Sequence, residues 1–340
     1  MAKGAELISK TGNIFLLILL SSAVVVFGIF LMPFVVYSET LTPIGATENN
    51  DEKIVMLNFD DGYKSHFVNA KPILDKYGYK ASFYIVCNFV GKNAEEMNSE
   101  DILDFEGKGK EQMSWQDITE LQRQGHDIGS HSMNHYRLNE ISERQMQFEV
   151  GQSKQCLLDH SINATVFAYP FSEGWDDEEI VSTVSKYYLM ARAGNVPLMS
   201  LHCNSHNENY NIDSKQNDCR TYDDNGDLTF VNRYSIRTWS HDAVKKDNSY
   251  DNSKMFEKFV EVVNSQTKYN KDGKVTSIPI VKYHKIDDSG EDYSTNVDLF
   301  SDEMRYLYDN SFTVLSMQNL GYDENSNYLY IKDIKQETKE

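Results

Sequence analysis

The stretch KIVMLNFDDG, residues 53–62, runs five apolar side chains almost without break into two adjacent carboxylates and a glycine. An apolar run this short, bounded by Asp-Gly, reads as a buried strand that ends in a turn. Asp-Gly alone is ordinary turn chemistry, so the pair of aspartates gains meaning only from what stands at the ends of other strands. Three further runs end on groups able to do chemistry. GHDIGSHSMNHYRL (125–138) places His131 and His135 four residues apart, TVFAYPF (165–171) ends on Pro170 and Phe171, and SIPIVKYH (277–284) ends on His284.

Short apolar runs alternate with stretches of helical period along most of the chain, the signature of βα units around a parallel sheet. Strands are expected at 54–59, 81–87, 127–130, 165–169, 187–191, 277–283 and 312–315. Ser114 with Asp117 and Ser142 with Gln145 form capping boxes that open helices, Asn252 or Ser253 opens another, and Asp298 a fourth. Seven strands alternating with helices in under 300 residues predict an α/β fold, an irregular or incomplete (β/α) barrel of seven to eight βα units. Residues 93–112, 203–227 and 267–274 are polar enough to be loops or insertions.

Residues 11–38 carry no charge, and about 20 apolar residues suffice to cross the hydrocarbon core of a bilayer. Lys3 and Lys10 precede the segment and Glu39, Glu48, Asp51 and Glu52 follow it, so the positive-inside bias puts 1–10 in the cytoplasm and the rest outside. We expect an uncleaved transmembrane anchor at 11–38, with secretion after signal cleavage as the alternative, and a linker at 39–52. The net charge of −19 repels nucleic acid and anionic lipid surfaces, leaving neutral polymers as the better partner. Of four cysteines, Cys87 and Cys156 sit in apolar patterns and read as buried, while Cys203 and Cys219 bracket a polar insertion and form a candidate disulfide. A zinc knuckle from His202, Cys203, His206 and Cys219 is the rival reading.

In a parallel αβ barrel the carboxyl ends of the strands converge on one face. Asp60, Asp61, His131, His135, Phe171 and His284 are therefore expected at one mouth. An aspartate with two histidines suits Zn²⁺ or another divalent ion with positions left open for water and substrate.

At these residues the sequence resembles the polysaccharide deacetylases, the NodB-homology family also called carbohydrate esterase family four. NFDDG is similar to the first family motif, HSMNH matches the second, AYPF resembles the third and VKYH the last, in order from about Lys53 to about Leu320. The resemblance implies a NodB-like domain at 53–320 followed by a polar tail at 321–340. It makes Asp60 the general base, Asp61, His131 and His135 the ligands of a divalent metal, and His284 the general acid. A water activated by the ion would be the nucleophile, with the Phe171 backbone N–H facing the oxyanion, and the substrate an N-acetylhexosamine of a cell-surface or extracellular polysaccharide. Pro170 and Trp239 are candidates for the substrate groove.

One departure stands out. Ala168 occupies the place where the third motif usually carries an arginine directed at the base; either another arginine substitutes, Arg233 and Arg237 being the candidates, or the base is tuned differently and activity is lower. The alternatives are an O-acetyl esterase or non-sugar amide hydrolase of the same fold, and a glycan-binding protein with a decayed site. His66 lies nearest the site among the remaining histidines and reads as structural.

Overall fold

The computed structural model describes residues 52–98, 109–194, 196–201, 221–222, 228–230, 233–325 and 328–332. Nine strands form its main sheet: β1 (Ile54–Phe59), β2 (Ser82–Ile85), β3 (Asp127–Ser130), β4 (Val166–Ala168), β5 (Met190–Ala193), β6 (Ile236–Arg237), β7 (Trp239–Ser240), β8 (Ile280–Tyr283) and β9 (Thr313–Leu315). They follow the order β7-β8-β1-β2-β3-β4-β5-β6, with β9 also paired to β1, and all pairings are parallel. The two ends of this path, β6 and β7, are consecutive in the chain with Thr238 alone between them. The sheet thus curls back to within one residue of closing, a nearly closed barrel.

Helices α1 (Lys71–Tyr77), α2 (Trp115–Arg123), α3 (Glu143–Asp159), α4 (Glu178–Ser185), α5 (His241–Asp247), α6 (Asn252–Asn264) and α7 (Val297–Asp309) connect the strands. The capping boxes at Ser114 and Ser142 both form. Asp251, rather than Asn252 or Ser253, caps α6 by accepting the Lys254 N–H at 2.8 Å, and Asn296 caps α7. An aspartate one residue earlier puts its carboxylate within reach of the third helical N–H, which is what a cap requires.

All six residues of β1 are buried, as a strand covered on both faces must be. Val55, Leu57 and Phe59 join the larger apolar cluster, where Phe59 stacks on Phe83 and Tyr283, whereas Ile54 and Met56 point into a second cluster with Tyr84, Val166 and Leu315. This alternation is the two-residue period of the strand. β5 begins three residues later than expected, because Tyr187 and Leu189 are exposed and sit in the preceding turn.

Cys87 is buried as expected, and it is bonded to Cys156, a pairing that the sequence reading assigned instead to Cys203 and Cys219. Cys203, Cys219 and the rival zinc knuckle lie outside the described residues, as does the expected anchor at 11–38. Among the described residues no helix is long and apolar enough to cross a membrane.

Candidate active site

Asp60 follows β1 directly, and its N–H donates to the Tyr283 carbonyl of β8 at 2.9 Å, so strand pairing carries into the site. Asp61 and Gly62 then turn the chain with φ of 74° and 76°. Glycine adopts this left-handed conformation freely, while Asp61 does so at a cost of about 1 kcal/mol. Both carboxylates end up buried, and burial of charge is tolerated only where partners compensate it.

For Asp61 the partners are two imidazoles. His131 follows β3, and its Nδ1 lies 2.8 Å from the Ala168 carbonyl, which places the proton on Nδ1 and leaves the Nε2 lone pair facing the site. His135 is fixed by its N–H, which donates to Ser132 Oγ at 2.9 Å. Nε2 of each histidine stands 3.4 Å from Asp61 Oδ1, and the two Nε2 atoms are 3.2 Å apart. Three donors at these separations form the face of a tetrahedron whose centre lies about 2.0–2.1 Å from each, the length of zinc bonds to imidazole nitrogen and carboxylate oxygen.

The electrostatics agree with that geometry. Burial works against the Asp61 carboxylate, but its interaction with His131 and the neighbouring His135 and His284 outweighs it and holds the group well below the usual carboxylate range. Burial pushes His135 down to about 3 against the pull of Asp61, so its imidazole is neutral at physiological pH. An ionised carboxylate with a neutral imidazole is the state that binds a metal. The residues present therefore fit a divalent ion.

Asp60 has different company. Arg192 donates from Nη2 to Asp60 Oδ1, and its guanidinium also lies over the Tyr84 ring, 4.0 Å from the centroid. Burial pulls the Arg192 pKa down to about 9, which leaves it cationic at neutral pH. Lys282 Nζ lies 3.9 Å from Asp60 Oδ2 and donates to Ser172 Oγ at 3.4 Å. His284, after β8, is held twice by Asp242 of α5: Oδ2 accepts its N–H at 2.6 Å and Oδ1 is 2.8 Å from its Nδ1. Burial opposes ionisation of Asp242, yet the charge of His284 and these bonds hold its pKa low. His66 is buried, packs its Nε2 against the His284 carbonyl and is pushed by burial to about 4, in keeping with a structural role.

Asp60, Asp61, His131, His135, Phe171 and His284 line one pocket of about 270 Å³, together with Arg137, Tyr169, Lys282 and Tyr293. Phe171 has φ of 56° and Ser172 58°, and the Phe171 ring lies between His135 (4.6 Å between centroids) and the Arg137 guanidinium (3.8 Å from the ring centroid). Four expected residues do not line the pocket. Arg233 pairs with Glu324, Arg237 stacks on Trp175, and Trp239 is buried in the main core against His241. Trp239 begins a strand, and its side chain takes the core-facing side of that strand. Pro170 is buried and does not line the pocket.

Residues 47–189 match the family model described as polysaccharide deacetylase. A putative polysaccharide deacetylase of Bacillus subtilis, YxkH, is 29% identical over 159 residues, 44% of this chain and 49% of the relative. The chain thus matches about half the length of that curated relative. Among solved structures, the Streptococcus pyogenes deacetylase PplD in complex with acetate is 23% identical, with 42% of this chain and 57% of the other covered at a TM-score of 0.35. The Xyl-CE4 domain of a multidomain xylanase from the hindgut metagenome of Trinervitermes trinervoides is 16% identical, with 78% and 88% covered at a TM-score of 0.44.

Sequence reasoning missed Arg192 and Asp242, which pair with Asp60 and His284, and the pocket-lining Arg137, Tyr169, Lys282 and Tyr293. Ala168 of β4 pairs in register with Arg192 of β5, so the arginine reaches Asp60 from the neighbouring strand. Its only signal in the sequence is a cation inside the apolar run LMARA. Asp242 had none, since it opens a helix whose strand, β7, is two residues long.

Proposed function

We propose that this chain is a metal-dependent N-deacetylase that removes acetyl groups from N-acetylhexosamine residues of a cell-surface or extracellular polysaccharide. One observation carries the reading: the Asp61–His131–His135 donor set shares a pocket with two charge-paired groups, Asp60 with Arg192 and His284 with Asp242. When bound by that donor set, a divalent ion would supply Lewis acidity that polarises the acetyl carbonyl and makes water a stronger acid, and two imidazoles with a carboxylate at these separations suit zinc.

The chain's own groups do the rest. Asp60, oriented by Arg192, accepts a proton as water adds to the acetyl carbon. The Phe171 N–H donates to the oxygen on which negative charge develops. His284, held at its backbone N–H and Nδ1 by Asp242, donates from Nε2 to the amine nitrogen as the carbon–nitrogen bond breaks, and acetate is left. An amine leaves poorly as an anion, so an amide needs this acid more than an ester does. That supports the amide reading over the O-acetyl esterase alternative. Arg192 beside Asp60 removes the motive for a decayed site that Ala168 supplied.

Placement outside the membrane belongs to the same proposal. The uncharged segment 11–38 supports an anchor, and the Cys87–Cys156 disulfide supports an oxidising compartment. The test is acetate release from an acetylated chito-oligosaccharide by the detergent-solubilised chain, with a matched O-acetyl ester run beside it. Release should stop with chelator, return with zinc and be absent in Asp61→Ala. Metal-independent release overturns the mechanism, and faster release from the ester moves the substrate to the esterase alternative.

A further inference from the structure

The turn that carries both histidine ligands is built from conformations that resist it. Ser132 has φ of 67° and His135 of 61°, left-handed backbone that side chains disfavour, so outside contacts must hold the turn. From one side the Cys87 N–H donates to the Ser132 carbonyl at 3.2 Å and the Asn88 N–H to the Met133 carbonyl at 3.0 Å. Asn88 Nδ2 adds a bond to Asn134 Oδ1 at 2.6 Å. From the other side comes Glu149 of α3, a carboxylate only 1% exposed. Its Oε2 accepts the N–H of Met133 at 3.0 Å and of Asn134 at 2.7 Å, and its Oε1 accepts Asn134 Nδ2 at 2.6 Å.

Both oxygens of a buried carboxylate are thus committed to Met133 and Asn134, two of the three residues between the histidines. Bonds from N–H to an ionised acceptor are stronger than neutral ones, and a carboxylate is the one side chain that takes three donors at once here. The two flanking elements are also tied to each other, because Cys87 is bonded to Cys156, seven residues beyond Glu149 on α3.

We propose that Glu149 is a positioning residue for the metal site: it fixes the 132–134 turn so that His131 and His135 already stand at ligand spacing when an ion arrives. The proposal rests on the reading of Asp61, His131 and His135 as ligands. Losing the outer partner of a metal ligand typically lowers affinity about 10–100-fold.

The test is competitive zinc titration of the full chain, with the site defined as the one Asp61→Ala abolishes, at a temperature where every variant is folded. Glu149→Ala should bind zinc about 10–100-fold more weakly. Glu149→Gln keeps one oxygen for the Met133 and Asn134 N–H groups and should lose less. Leu157→Ala, at a buried position of the same helix eight residues beyond Glu149, should destabilise the protein and leave zinc affinity unchanged. Wild-type affinity in Glu149→Ala, or an equal loss in Leu157→Ala, overturns the proposal. Should Glu149→Ala not fold, Glu149→Gln decides alone: weaker binding than wild type supports the proposal and equal binding overturns it. A wild-type chain that takes up no zinc overturns the metal reading itself, a result distinct from a variant that binds as well as wild type.

Discussion

Arg192 reaches Asp60 across a strand boundary, and that path explains which site residues were legible in the sequence. Asp60, Asp61, His131, His135 and His284 each stand at the end of an apolar run, so the rule that strand ends converge places them without knowing which strand neighbours which. The partner of Asp60 depends on sheet order and register, which local pattern does not carry, and Arg233 and Arg237 were expected in its stead. Removing Arg192 leaves a buried carboxylate short of its closest cation, a loss of about 3–5 kcal/mol for a buried pair. It also frees the base from its orientation. Arg192→Met should lower kcat by about 100-fold, within the range that positioned acid–base groups contribute, with zinc content retained. Because Ala168 and Arg192 are paired in register, moving the arginine back with Arg192→Ala plus Ala168→Arg should recover part of the lost rate. A double variant no faster than Arg192→Ala would show that the guanidinium acts only from β5.

Among the elements, those with strong local chemistry were readable and those defined by long-range contacts were not. The capping boxes of α2 and α3 are written in four-residue patterns, and β1 in a six-residue apolar run. β6 and β7 are two residues each and exist because β5 and β8 pair with them, so no periodicity announces them. The disulfide was missed for a related reason. Cys87 and Cys156 lie in apolar surroundings that satisfy a buried thiol equally well, and only the approach of α3 to the turn after β2 joins them. Closing a loop of 69 residues in the unfolded chain is worth about 4 kcal/mol in the chain-entropy account. Cys87→Ser with Cys156→Ser should therefore be less stable by about that amount in urea unfolding, with an unchanged folded spectrum. Serine hydroxyls replace the sulfur at similar volume, so a loss near zero would mean that packing of α3 alone holds the turn.

For the molecule as a whole, burial of histidine gives the metal-free protein a stability that depends on pH in a definite direction. His66 and His126 are pushed to about 4 and His135 to about 3, in each case chiefly by burial, against an ordinary value of 6.5. Below pH 6.5 the unfolded chain therefore takes up three protons that the folded protein refuses, and stability falls as pH falls toward 4. Asp127 runs the other way. Burial raises it from 3.8 to about 6, so between those values the folded state holds a proton that the unfolded state has lost, and acidification through pH 6 favours folding by that one group. Three protons against one leave a net uptake of about two on unfolding between pH 6 and 4, a loss of about 3 kcal/mol per pH unit. Asp61 and Asp242, both held low, add to the loss from about pH 5 downward, where their unfolded forms begin to protonate. Urea midpoints measured in chelator should thus change little between pH 7.5 and 6.5 and then drop steeply to pH 4. On the proposed ligation zinc would bind the neutral form of His135 in the folded chain, so saturating zinc should raise the midpoint at pH 7 and lose that advantage as His135 is forced to protonate. A flat midpoint from pH 7 to 4 without metal would mean that these histidines are not sealed from water as the barrel places them.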